Sequence, residues 1–126
     1  MRVHFAFGKS GLELDLPAGF DYRLLEARSA KPLPDERAAI EAALDSPIAG
    51  PSLKQLASGK RTAAISVCDI TRPAPNRIVL PPVLDRLAQA GIPRENVAIF
   101  IATGLHRAAT EAEIAEILGP EVYGTV

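Results

Sequence analysis

The sequence predicts an α/β fold built on a parallel βαβ crossover, and three observations carry that prediction. Two short apolar runs rich in β-branched residues, Ala63–Cys68 and Val97–Ala102, are each bounded by turn formers and read as buried strands. Between them Val83, Leu84, Leu87 and Ala88 recur at three- and four-residue spacing, the period of a helix with one apolar face. Each run also ends in a polar stretch: Asp69-Ile70-Thr71-Arg72-Pro73 after the first and Thr103-Gly104-Leu105-His106-Arg107 after the second. A right-handed crossover makes the two strands parallel. Both polar stretches then emerge at one sheet edge, with neighbouring strands about 5 Å apart. Ligands of open α/β sheets bind at that edge, so Asp69, Thr71, Arg72 and His106 are expected in one crevice.

The other elements follow in chain order. Val3, Phe5 and Phe7, then Leu12, Leu14 and Leu16, alternate on either side of Gly8-Lys9-Ser10-Gly11, which predicts a β-hairpin with one buried face. A third extended piece is expected near Tyr22 to Ala27. Beyond Pro32 and Pro34, the acids Asp35 and Glu36 precede Ala38, Ile40, Ala43 and Leu44 at helical spacing, and suit the positive end of a helix dipole. Pro47 and Pro51 end that helix. Ser52 caps a short one, Leu53 to Ala57, that stops at Gly59. The first core strand follows, over Lys60 or Arg61 to Cys68.

The crossover helix has two candidate entries, Asn76 as N-cap or the Pro81-Pro82 pair in a first turn. An earlier start puts both prolines in the second turn. Gly91 and Pro93 stop the helix. After the second strand, Thr110 and Glu113 form a capping box, and a helix runs through Ile114 and Leu118 to Gly119. Glu121 to Val126 reads as the start of another strand. The whole is a hairpin region followed by a Rossmann-like βαβα unit: one N-terminal α/β domain over residues 1–126, expected to be part of a larger one.

Composition narrows the function classes. The 126 residues carry a net charge of −1, which gives no electrostatic case for nucleic acid or an anionic membrane. A single cysteine, Cys68, excludes an internal disulfide framework and fits a reducing compartment. No apolar stretch could span a bilayer and the first residues lack the length of a signal peptide, so a cytoplasmic location is expected. Two histidines in distant segments and one cysteine form no familiar metal-ligand spacing. No Gly-rich phosphate loop is present.

Each candidate site residue has a plainer reading beside it. Arg72 past a strand end offers a fork for carboxylate or phosphate, or is a surface arginine paired with a nearby acid. Asp69 directly follows buried residues and must be paired, hydrogen-bonded or at a site; it can also cap the following turn. His106 titrates in the range useful for proton transfer, and Gly104 beside it lets backbone approach a ligand; a loop histidine is otherwise solvated. His4, alternating in the hairpin, is read as structural.

Taken together, Asp69-Ile70-Thr71-Arg72-Pro73, Leu80-Pro81, Leu87-Ala88-Gln89-Ala90-Gly91-Ile92 and Ala102-Thr103-Gly104-Leu105-His106-Arg107 with Thr110 and Glu113 resemble the N-terminal domain of the lactate racemase family. Ala42 to Ile48 and the opening hairpin fit the same pattern. Ala108 stands where many relatives have proline. The resemblance implies a racemase or epimerase acting on a 2-hydroxy acid by proton and hydride transfer with a nickel-pincer nucleotide cofactor. By the same resemblance His106 is the catalytic proton acceptor, Arg72 and Asp69 bind substrate, and Thr71, Asp69 and Gly104 lie near the cofactor. A second histidine, the cofactor's lysine tether and the nickel ligand have no candidate in this sequence. The chain alone is therefore expected to be inactive and to bind no cofactor tightly, with a C-terminal domain or partner chain completing the site. Two alternatives stand beside this: a nucleotide- or anion-binding module without turnover, and an interaction unit that associates with a partner or a second copy through an unfinished sheet edge.

Overall fold

The computed structural model describes residues 1–27 and 29–126. They fall into two compact units, Met1–Lys31 and Pro32–Val126. In the first, β1 (Arg2–Phe5) pairs antiparallel with β2 (Leu12–Asp15). Strand alternation sorts the side chains by chemistry. One face carries two cross-strand ion pairs, Arg2–Asp15 at 2.8 Å and His4–Glu13 at 2.6 Å, so His4 has a structural partner. The other face carries Val3, Phe5, Leu12 and Leu14. Burial there is met at Val3 alone; Phe5, Leu12 and Leu14 remain 44–48% exposed. A lone two-stranded ribbon has no second layer of its own to cover that face. Tyr22 to Ala27 forms no strand, although the Tyr22 hydroxyl donates to the Pro17 carbonyl at 2.8 Å.

The second unit begins with α1 (Glu36–Asp45), where the Asp35 carboxylate accepts the Ala38 N–H, and α2 (Leu53–Ala57), closed by a Ser52–Gln55 capping box. Then come β3 (Ala63–Cys68), α3 (Asn76–Gln89), a 3₁₀ turn (Arg94–Asn96), β4 (Val97–Ala102) and α4 (Glu111–Leu118). Strands β3 and β4 are adjacent and parallel, in register from Ala63 opposite Val97 to Cys68 opposite Ala102. Their carboxyl ends therefore lie side by side, as the crossover requires.

Helix α3 matches neither expected entry: it starts one residue ahead of the Asn76-cap alternative, with Pro75 at the cap and Asn76 the first helical residue. Pro81 and Pro82 consequently sit in the second turn and cannot donate to the carbonyls of Arg77 and Ile78. Both rings are buried, which offsets the missing bonds with apolar contact. Leu80, Leu84 and Leu87 on the same helix pack with Val67, Val97, Ile92, Ile117, Leu118 and Val122, and Ile65, Ile99 and Ile101 support them from the sheet. The opposite sheet face, with Ala64, Ser66, Cys68, Ala98, Phe100 and Ala102, is exposed.

Glu121 to Val126 is not a strand. Val122 and Tyr123 donate to the Gly119 carbonyl and Thr125 to that of Val122, winding the segment into successive turns. Val122 is completely buried by this, and Arg94 ties the outside by donating to the Glu121 carbonyl and the Thr125 hydroxyl. Burial of the Val122 side chain favours these turns over the extended chain that was expected. Among the described residues no helix is long and apolar enough to cross a membrane.

Candidate functional site

The site forms where β3 and β4 end. Asp69 leaves β3 directly and is the buried charged residue of the described chain, 7% exposed. A carboxylate so placed needs partners for both oxygens. Its Oδ1 accepts the Thr71 backbone N–H at 3.2 Å and the Thr71 hydroxyl at 2.6 Å. Its Oδ2 lies 2.6 Å from His106 Nδ1. The first pair is an Asx-type turn, tightened by the Arg72 N–H donating to the Asp69 carbonyl at 3.2 Å. The second joins residues 37 apart in sequence and exists because the strand register brings the two loops together.

The Thr71 hydroxyl, then the His106 ring, hold the Asp69 carboxyl below its ordinary range, with burial opposing. It is therefore ionised at neutral pH and can only accept hydrogen bonds. The proton on the neutral His106 ring must then lie on Nδ1, which leaves Nε2 with a free lone pair. The His106 side chain is 54% exposed and lines a cleft at the strand ends.

Backbone geometry fixes the loop that carries the ring. Gly104 adopts φ +57°, and the His106 N–H closes the turn onto the Thr103 carbonyl at 2.9 Å. A side chain at Gly104 would meet open space, so the positive φ is what calls for glycine there. On the far side of His106, Arg107 forks onto Glu113 through two bonds of 2.8 and 2.7 Å. Glu113 also completes the capping box of α4 with Thr110. The Arg107 guanidinium and the Thr110 N–H push the Glu113 carboxyl down to about 2. Sequence reading found the box but not the fork; a basic residue three positions before the N-cap of an acid-closed box was the available signal.

The expected single crevice is two adjoining clefts. Thr71, His106, Arg107 and Glu113 line one of about 290 Å³, and Arg72, Asn76, Arg77 and Glu116 line another of about 410 Å³. Asp69 and Ile70 border both. Asp69, Thr71 and His106 are thus in direct contact, while Arg72 stands across the Asp69 turn from the imidazole. Among the described residues the Arg72 guanidinium has no ion-paired or hydrogen-bonded side chain. Thr71 gives both its donors to Asp69. The described residues contain no group of three or more His, Cys, Asp or Glu that could hold a metal.

Residues 7–126 match the family model described as the lactate racemase N-terminal domain. The lactate racemase of Thermoanaerobacterium thermosaccharolyticum is 36% identical over 123 residues, which is 96% of this chain and 29% of that protein. The lactate racemase of Lactiplantibacillus plantarum is 37% identical over 87 residues, 69% of this chain and 20% of that protein. The structure of the lactate racemase apoprotein from T. thermosaccharolyticum superposes with a TM-score of 0.75 at 33% identity, covering 98% of this chain and 28% of that one. The chain thus spans less than a third of the length of these relatives.

Proposed function

The chain belongs to the lactate racemase N-terminal domain family, and on that premise we propose that it supplies one half of a racemase or epimerase site for a 2-hydroxy acid. His106 is the proton acceptor for the substrate hydroxyl, through Nε2. Asp69 holds the ring by Nδ1 and keeps it in the base-ready tautomer. Thr71 holds Asp69 in turn. Arg72 anchors the substrate carboxylate as a fork in the adjoining cleft. The observation that carries this reading is the Thr71–Asp69–His106 chain, because an acceptor-only carboxylate on Nδ1 fixes which nitrogen is basic.

The geometry favours a positioning role for Asp69 over direct substrate contact, since both its oxygens are engaged. It favours the same for Thr71 over contact with a cofactor phosphate. The residues present do not fit a resident nickel: the donor set for a metal is absent among the described residues. Inversion at carbon also needs an acid/base on the opposite face of the planar intermediate, which a C-terminal domain or partner chain would supply.

Two variants in the complete protein test the roles, with kinetics run from both enantiomers of lactate. His106→Ala should leave KM nearly unchanged and lower kcat by about 10²–10⁴, the weight of general base catalysis. Arg72→Ala should raise KM and lower kcat together, by roughly 2–4 kcal/mol in kcat/KM. Near-normal turnover of His106→Ala would make the imidazole a solvated bystander. Retained lactate binding without turnover in the unaltered protein would favour the anion-binding module instead.

A further inference from the structure

We propose that Glu113 is a positioning residue for His106, acting through Arg107, over and above its place in the α4 capping box. This rests on the reading of His106 as a proton acceptor. A capping box requires one acceptor oxygen at N3. Glu113 Oε2 meets that requirement alone, accepting the Thr110 N–H at 2.8 Å and the Thr110 hydroxyl at 3.2 Å. Its Oε1 has a different partner, Arg107 Nη2, at 2.7 Å, and Nη1 of the same guanidinium donates to Oε2 at 2.8 Å. Nη1 also donates to the Ala108 carbonyl at 2.9 Å, drawing the backbone after Arg107 toward the fork. The Glu113 side chain is 21% exposed, against 67% for Arg107, so the anchor lies in the helix entry and the arginine reaches down to it.

The consequence falls on the neighbouring residue. His106 is held on one side by the turn onto Thr103 and the ring bond to Asp69, both of which depend on the ends of β4 and β3. On the other side the chain passes through Arg107, Ala108 and Ala109, which belong to no helix or strand, before Thr110 opens α4. The Arg107–Glu113 fork is the side-chain tie nearest to His106 in that gap. Without it the first anchor after His106 is Ala109, three residues on and packed against the core, and a base displaced by about 1 Å can lose about 10²-fold in rate. Arg107 is by the same geometry engaged with the fold and not held out to bind an anion.

Separating the two jobs of Glu113 is possible because glutamine also closes a capping box but cannot pair as a carboxylate with a guanidinium fork. In the 126-residue chain, Glu113→Gln should speed amide exchange of residues 104–109 at least tenfold and leave that of Ile114–Leu118 within about twofold. The ¹⁵N signals of His106 should lose their preference for the Nδ1–H tautomer. Arg107→Gln, which leaves the box intact, should reproduce both changes, and guards against misfolding of the Glu113 variant. Thr110→Ala should do the reverse, fraying α4 while the tautomer persists. In the complete protein, Glu113→Gln and Arg107→Gln should lower kcat about 10- to 100-fold with KM within about threefold. Wild-type exchange and tautomer in both variants would reduce Glu113 to a helix cap and overturn the proposal. If instead the unaltered complete protein has no racemase activity, the reading of His106 fails, while exchange and tautomer still decide the tie.

Discussion

Replacing Asp69 by asparagine changes almost no volume and tests the site at its centre. The wild-type carboxylate accepts on both oxygens: two donors from Thr71 reach Oδ1 and one from His106 reaches Oδ2. Asparagine has one acceptor oxygen and one donor NH₂. Facing its oxygen to Thr71 keeps two bonds, and facing it to His106 keeps one, so the first orientation wins. The amide then presents N–H to Nδ1, which must accept it, and the ring proton moves to Nε2. The proposed base at Nε2 would disappear while the fold stays. The same substitution in the Ser-His-Asp triad lowers kcat about 10⁴-fold for this tautomeric reason; here the expected loss is about 10²–10⁴ in kcat with KM within about threefold. The assay pairs steady-state kinetics of the complete protein from both lactate enantiomers with ¹⁵N spectra of His106 in the 126-residue chain. Nδ1–H should dominate in the wild type and Nε2–H in the variant. An unchanged tautomer, or kcat within twofold, would refute the role given to Asp69.

Two further outcomes concern the fold that holds the site. Leu84 is 1% exposed at the middle of α3, so Leu84→Ala should lower unfolding free energy by about 2–5 kcal/mol, read from urea midpoints at constant m-value. A loss under about 1 kcal/mol would place the core elsewhere. The Glu113 carboxyl is pushed down from an ordinary 4.5 to about 2 by Arg107 and Thr110. Over that window the unfolded chain binds the proton and the folded one does not, so this contribution is present in full above about 4.5 and is lost as pH falls toward 2. The gap in urea midpoint between wild type and Glu113→Gln should therefore narrow from pH 5 to pH 3, and a constant or widening gap would contradict the assignment.

Local signals proved sufficient where they carried their own mechanism. Ser52 caps α2, Thr110 and Glu113 box α4, and the two β-branched runs form the parallel pair that the intervening helical period implies. Signals failed where tertiary burial overruled them. Glu121 to Val126 read as the start of a strand, but Val122 gains more by filling the core than by extending. The choice of entry to α3 turned on whether buried proline rings could offset two missing N–H donors, a question of packing that no local pattern answers. Apolar alternation in the hairpin set its pairing but could not say that Phe5 and Leu12 would stay half exposed.

The site shows the same division within one residue. Sequence left Asp69 with two readings, a turn cap or a functional carboxylate, and in the structure its two oxygens hold different partners. Oδ1 makes the Asx turn with Thr71, the outcome that local chemistry favours at Asp-x-Thr. Oδ2 holds His106, which only the strand register could bring there. The turn is a condition of the second role: by taking both Thr71 donors on one side it lowers the carboxyl's proton affinity and aims the other oxygen across the strand ends. It also sends Arg72 round the corner into the neighbouring cleft, which is why the single expected crevice became two. A 2-hydroxy acid carries its hydroxyl and carboxylate on adjacent carbons, so on the proposed reading a substrate bridging His106 and Arg72 would lie over the Asp69–Ile70 rim that both clefts share. Enlarging that rim, by Ile70→Phe, should accordingly raise KM for lactate in the complete protein while leaving the His106 tautomer as it is, and an unchanged KM would mean that the two clefts serve different ligands.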